Sequence, residues 1–239
     1  MKISVEQSQN LLSYLSGPEK IEKIKALGVA VENEIPENSI LFIGINPSYD
    51  EKKKDDKNYN KPSYDLKTVT GSIFFKKAAE IACDNNKPFG HHDLFPIRET
   101  DQKVIEGMFN INCEGITANE HYFDFVEESL RLAESIIRES KPYMIIVANA
   151  FVTHLFFDFR FNNGDSLLGF LPGDKGGYWN EELGVDFVNI AGRQVPILFS
   201  GMLAGQRALD FGSEFRLKWH IRHIISNENK WRKIEYPNK

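Results

Sequence analysis

Three short apolar runs constrain this chain most: SILFIGI at 39–45, YMIIVANA at 143–150 and VPILFS at 195–200. Each is rich in branched residues and lacks strict alternation, the pattern of strands covered on both faces. A fourth run, KPFGHHDLFPI at 87–97, contains Pro96 near its end, so it predicts a strand over its first half or at a sheet edge. Helical spacing fills the intervals. Phe74, Ala78, Ile81 and Ala82 recur over 73–83 behind a Thr70-Gly71-Ser72 start, and Tyr122, Phe125, Leu132 and Ile136 over 120–140, which ends at Lys141-Pro142. A last helix is expected over 211–226 with Ser213 as its cap. Strands alternating with helices predict an α/β fold: a three-layer α/β/α arrangement around a central, mostly parallel four-stranded sheet.

With 239 residues, 41% of them hydrophobic, the chain has enough apolar material for one domain, its first 38 residues forming a helical lead-in. The amino terminus, MKISVEQSQN, has no apolar signal core and no window is apolar enough for a membrane span, so a cytoplasmic protein is expected. Cys83 and Cys113 stand alone rather than in a CxxC pair, which predicts core thiols and no metal centre. No cofactor motif is present, and a monomer is the favoured state.

The net charge of −5 supplies no global attraction to nucleic acid, so any such contact is local. Basic residues concentrate in EKKKDDKNYNK at 51–61 and in RLKWHIRHII followed by KWRK near the carboxyl end. Charge runs of this kind also describe solvated faces. Two long polar stretches, 49–72 and 158–180, read as irregular segments of functional or inserted type.

In open α/β sheets ligands bind beyond the carboxyl ends of the parallel strands. Four such junctions stand out: Gly44-Ile45-Asn46-Pro47-Ser48, Asp93-Leu94-Phe95-Pro96, Asn149-Ala150, and Ser200-Gly201-Met202-Leu203 with Gln206-Arg207. The first is the most specific. An amide at Asn46, followed by a rigid Pro, donates to and accepts from a water or a base carbonyl without adding charge. A plain strand-ending Asn-Pro turn has the same sequence.

Several segments together resemble the uracil-DNA glycosylase superfamily, over about residues 40–225. GINPS at 44–48 is similar to the GINPG or GMNPG motif of the mismatch-specific and single-strand-selective branches. TGSIFFKKAAEIAC at 70–83 resembles their helix-opening segment, and His92-Asp93-Leu94-Phe95-Pro96 their His-Asn-Leu-x-Pro turn. The long helix, Lys-Pro break and YMIIVANA follow in the family's order, and VPILFSGMLAGQR at 195–207 stands where the family places its last strand and DNA-penetrating loop.

The resemblance implies hydrolysis of a base–sugar bond in DNA, single- or double-stranded, after the nucleotide leaves the stack, with neither metal nor redox cofactor. Asn46 corresponds to the water-orienting Asn. Gly44, Ile45, Pro47, Ser48, Asp93 and Asn149 would surround the base, and Tyr59 or Tyr64 would stack on it. Phe74 and Phe75 are expected to pack inward. Where the family has a loop histidine, this chain has Ser200-Gly201-Met202, so the backbone N–H groups of Gly201 and Met202 are the candidates to meet charge on the departing base. His220 and His223 lie beyond the loop, on the last helix. Gln206 and Arg207 would contact DNA, with a surface pairing of Arg207 to Asp210 as the alternative, and Lys52, Lys53 and Lys54 would reach phosphate or simply be solvated. Asp93 replaces the family's base-reading Asn. Ionised, it only accepts hydrogen bonds and specificity shifts; protonated by burial, it regains a donor and keeps uracil as a substrate. Two rival readings are a degenerate module on the same scaffold, binding a base, nucleic acid or protein without cleavage, and a hydrolase of free nucleosides.

Overall fold

A computed structural model describes residues 1–57, 59–67, 72–113, 115–171, 177–205 and 208–232. In chain order its helices are α1 (Val5–Asn10), α2 (Glu19–Leu27), α3 (Ile73–Asp84), α4 (Gln102–Glu106), α5 (Phe123–Ser140), α6 (Ala150–Asp158), α7 (Phe211–Ser226) and α8 (Glu228–Trp231). The strands are β1 (Val31–Glu32), β2 (Ile40–Gly44), β3 (Ser63–Tyr64), β4 (Phe89–Asp93), β5 (Phe109–Asn112), β6 (Gly115–Ala118), β7 (Met144–Val147), β8 (Gly177–Asn180), β9 (Val185–Ile190) and β10 (Arg193–Phe199).

The four strands expected from the apolar runs are all present and all mutually parallel, but the sheet has six. Its order is β4-β2-β7-β10-β9-β8, with β9 and β8 added antiparallel beyond β10. The expected count of four is therefore corrected. The addition hinges on Ala191-Gly192, both at positive φ (52° and 77°), the geometry of a two-residue primed hairpin turn, with Asn189 accepting from the Gly192 N–H at 2.9 Å. β4 forms the opposite edge and stops at Asp93, before Pro96, as the proline requires.

Helices cover both faces because successive strand residues point to opposite sides. Leu41, Ile43, Ile145, Val147 and Ile197 join Phe125, Leu130 and Ile137 of α5 and Val152 and Leu155 of α6 in one core. Ile40, Phe42, Met144, Ile146 and Leu198 join Ala78 and Ile81 of α3 and Leu217, Ile221 and Ile224 of α7 in the other. Each fully buried Ile, Leu or Phe contributes about 1.5–3 kcal/mol by leaving water. α7 turns Phe211, Phe215 and Trp219 outward.

Helix ends follow local chemistry, with one correction. α5 stops at Ser140 because Lys141 turns left-handed (φ 46°) ahead of Pro142, which cannot continue a helix. α7 is capped by Asp210, whose carboxylate accepts from the Ser213 N–H at 2.8 Å; Ser213 is inside the helix, not its cap. Both cysteines are exposed, against the expectation of core thiols. Cys83 falls one residue past the inner-facing Ala78, Ile81 and Ala82 of α3, and Cys113 follows β5 at the head of an exposed hairpin. No helix among the described residues is long and apolar enough to cross a membrane.

Candidate active site

After β2 the chain crosses to β4 on one side; after β4 it returns to β7 on the other. The gap between the carboxyl ends of β2 and β7 is thus a topological switch point, where open α/β sheets hold ligands. Asn46 lies just beyond one strand and Asn149 just beyond the other. Register brings the remaining junctions to the same end: Gly44 pairs with Asp93, Ile43 with Val147, and Phe199 with Val147.

Asn46 is half-buried and its orientation is fixed. Its Nδ2 donates to the carbonyls of Pro47 (3.1 Å), Ile97 (3.1 Å) and Glu99 (2.7 Å). Three carbonyls on one side dictate which amide atom is nitrogen, so Oδ1 is the atom left to act on a ligand or water. Ile45 O and Pro47 O accept from Phe95 N and Glu99 N, tying the Asn-Pro turn to the loop after β4. Ser48 is exposed, and its carbonyl accepts from the Tyr59 hydroxyl at 3.1 Å; that oxygen in turn accepts from Asp50 N–H at 2.5 Å.

Beside this turn lies a polar cluster that joins the expected Asp93 and Tyr64 to Glu32 and His91, which the sequence did not announce. Asp93 Oδ1 is 3.5 Å from His91 Nε2, and His91 Nδ1 is 3.4 Å from the Tyr64 hydroxyl. That hydroxyl is 3.5 Å from Glu32 Oε2, whose other oxygen is 2.5 Å from His92 Nδ1. Glu32 reaches the cluster because β1 and β3 pair as a small ribbon at the β4 edge of the sheet. Phe74 and Phe75 pack inward as expected, their rings 5.6 Å and 4.8 Å from that of His91.

Burial decides the charges. His91 is held neutral, its pKa lowered to about 4 chiefly by desolvation, with Glu32 opposing and His92 adding to the shift. Desolvation and the charge of Glu32 push Asp93 well above the usual carboxylate range. The same two causes raise Tyr64 well above its ordinary value. One arrangement of protons satisfies the row: Tyr64 donates to Glu32, His91 Nδ1–H donates to Tyr64, and protonated Asp93 donates to His91 Nε2. The second carboxyl oxygen of Asp93 is then a neutral acceptor.

Gly44 makes room for this carboxyl. A Cβ there would stand 2.1 Å from Asp93 Oδ1 and 3.3 Å from His91 Nε2. Gly44→Ala should therefore displace Asp93 and cost about 1–3 kcal/mol by overpacking. Urea denaturation checks this, and Gly44→Ala with Asp93→Gly should regain part of the loss because the clash is removed.

Other expected site residues take different places. Asn149 is buried as the cap of α6: its side chain accepts from Val152 N at 3.1 Å and donates to Gln102 Oε1 at 3.3 Å, committing both amide atoms to the fold. Tyr64 joins the cluster through its hydroxyl and packs its ring 6.1 Å from Phe75. Tyr59 sits by the turn with Lys53 and Arg98 each 5.4 Å from its ring centre. Gly201 and Met202 are half-buried beyond β10, where Met202 O accepts from Leu209 N at 2.8 Å. Gln206 and Arg207 lie outside the described residues. His220 bonds the Leu183 carbonyl at 2.8 Å and His223 stacks on Trp219.

A cleft of about 700 Å³ opens nearby, lined by α4, the β5–β6 hairpin and α6, including Gln102, Ile111, Phe151, His154, Asp158 and Arg160. Asn46 and Asp93 are not among its lining residues. No group of three His, Cys, Asp or Glu among the described residues is arranged to hold a metal ion. Compared with protein-family models, curated proteins and solved structures, the chain matches none.

Proposed function

We propose that this protein hydrolyses the N-glycosidic bond of uracil or a related base in DNA. The observation that carries the reading is the placing of Asp93, at the end of β4 and 3.5 Å from His91 Nε2, on the strand paired with the one that leads to the fixed Asn46 acceptor. The resemblance assigns that position to an Asn, and a protonated carboxyl keeps half of the Asn pattern: its one donor is spent on His91 Nε2, and its acceptor is available to the N3–H of uracil. Asn46 Oδ1 accepts a hydrogen bond from the attacking water and aims its oxygen at the sugar carbon, and the proton the water gives up on attack ends on the departing base. Bond breaking leaves positive charge on the sugar and negative charge on the base, so orientation and electrostatics supply the rate without a carboxylate base. The N–H groups of Gly201 and Met202 remain the proposed partners of the departing base, and Arg207 the proposed DNA contact.

The test is release of free uracil from a uracil-containing oligonucleotide as pH is varied. Wild type should lose activity as pH rises through the raised Asp93 pKa, because the ionised group repels the base carbonyls. Asp93→Asn should retain uracil release and flatten that alkaline limb. A steep loss in Asp93→Asn at neutral pH would contradict the reading. A base-binding module without hydrolysis is the second reading, favoured because the 700 Å³ cleft does not include Asn46.

A further inference from the structure

Arg98 is a buried cation without a counter-ion among the described residues. It is 4% exposed, its Nε is buried with no hydrogen-bond partner, and its Nη2 donates only to the Lys61 carbonyl, at 2.6 Å. Among the described residues no carboxylate stands within ion-pair distance of it. The groups around it are Tyr49, Tyr59 and Tyr64, and burial lowers its pKa accordingly. Lys53 approaches the same Tyr59 ring, also without an ion-pair partner among the described residues, and exposed Lys52, Lys54, Lys57 and Lys61 share this segment.

Holding a guanidinium out of water with neither carboxylate nor a full set of acceptors is costly, and a chain with 34 acidic residues offers many partners that are not used here. A bound anion would pair with this charge. Arg98 is placed by the loop whose Ile97 and Glu99 carbonyls hold Asn46, so the charge is set at the rim of the candidate site. A guanidinium fork with free N–H donors suits a phosphate oxygen pair better than a point charge does.

We propose that Arg98 and Lys53, which share the Tyr59 ring, form a phosphate-binding site for the backbone of a bound nucleotide strand. The site does not depend on hydrolysis, since a binding module would need it equally.

The experiment measures thermal unfolding of wild type and Arg98→Met in sodium phosphate and in sodium chloride at matched ionic strength. Phosphate should raise the wild-type Tm by on the order of 5–10 °C at a hundredfold excess over its dissociation constant, and leave Arg98→Met unmoved. The variant in chloride should be at least as stable as wild type, since an uncompensated charge is gone. In calorimetry, wild type should bind deoxyuridine monophosphate roughly 10–100-fold more tightly than deoxyuridine, and Arg98→Met should lose the difference. An equal phosphate effect in both proteins reports only the general action of phosphate on surfaces and overturns the proposal, as does a wild type indifferent to phosphate. If Arg98→Met fails to fold, Arg98→Lys decides: a weakened phosphate response supports the site, and an unchanged one overturns it. Loss of phosphate binding with uracil release absent throughout would sink the hydrolytic reading and leave this site standing.

Discussion

Replacing Asn46 with alanine is expected to lower uracil release by roughly 10²–10³-fold, equivalent to about 3–4 kcal/mol of barrier. The expectation rests on geometry rather than on residue type. Three backbone carbonyls hold Nδ2, so the amide cannot rotate and Oδ1 is pre-aimed; no reorganisation is needed when the water is engaged. The same three bonds make Asn46 structural as well, and alanine should cost about 1–3 kcal/mol of stability by removing the amide donor from those carbonyls. The two effects separate cleanly in kinetics: kcat should fall in protein shown to be folded, with oligonucleotide affinity nearly unchanged. Asn46→Asp should be less stable than Asn46→Ala, because it turns a carboxylate toward three carbonyl oxygens.

The second large effect is acid destabilisation through His91. In the unfolded chain His91 titrates near its ordinary 6.5, and in the fold near 4. A depressed pKa contributes stability that is fully present above 6.5 and is lost as pH falls toward 4, because only the unfolded state takes up the proton in that window. The shift corresponds to about 3 kcal/mol once pH is below both values. Asp93 works in the opposite sense: its raised pKa favours the fold at low pH, and that contribution is lost as pH rises through the folded value. Urea midpoints at pH 7.5 and 4.5 for wild type and His91→Gln isolate the histidine. Wild type should lose about 2.5 kcal/mol more than the variant between the two conditions. Equal losses would mean that His91 is charged, or open to water, in the folded protein.

The parallel half of the sheet was legible because three branched apolar runs of strand length are hard to place except as covered strands, and the fourth strand, Phe89–Asp93, fits the edge position its following proline allows. The antiparallel half was not. β9 carries Asp186 and Asn189 among its buried Val185, Phe187, Val188 and Ile190, and its turn is Ala191-Gly192 rather than the Asn-Gly that announces such hairpins. The two-residue strands β1 and β3 are too short for periodicity to register, yet they deliver Glu32 and Tyr64 to the site. Of the site itself, the Asn46 turn and Asp93 were visible as residues following strands. Glu32, His91 and Arg98 were not, since a charged or imidazole side chain betrays burial only through partners distant in sequence. Asn149 shows the converse: it does follow a buried strand, but the helix that starts there takes its amide as a cap.

In the proposed reaction Asn46 Oδ1 acts on water beside a base read by Asp93. Its most direct measurement is formation of alkali-labile abasic sites in end-labelled single- and double-stranded oligonucleotides, each with one uracil, exposed to wild type and Asn46→Ala. Strand cleavage at the uracil by wild type, reduced at least a hundredfold in the variant, is the predicted result. Equal cleavage by both proteins, or none by a folded wild type that still binds the strands, would contradict it.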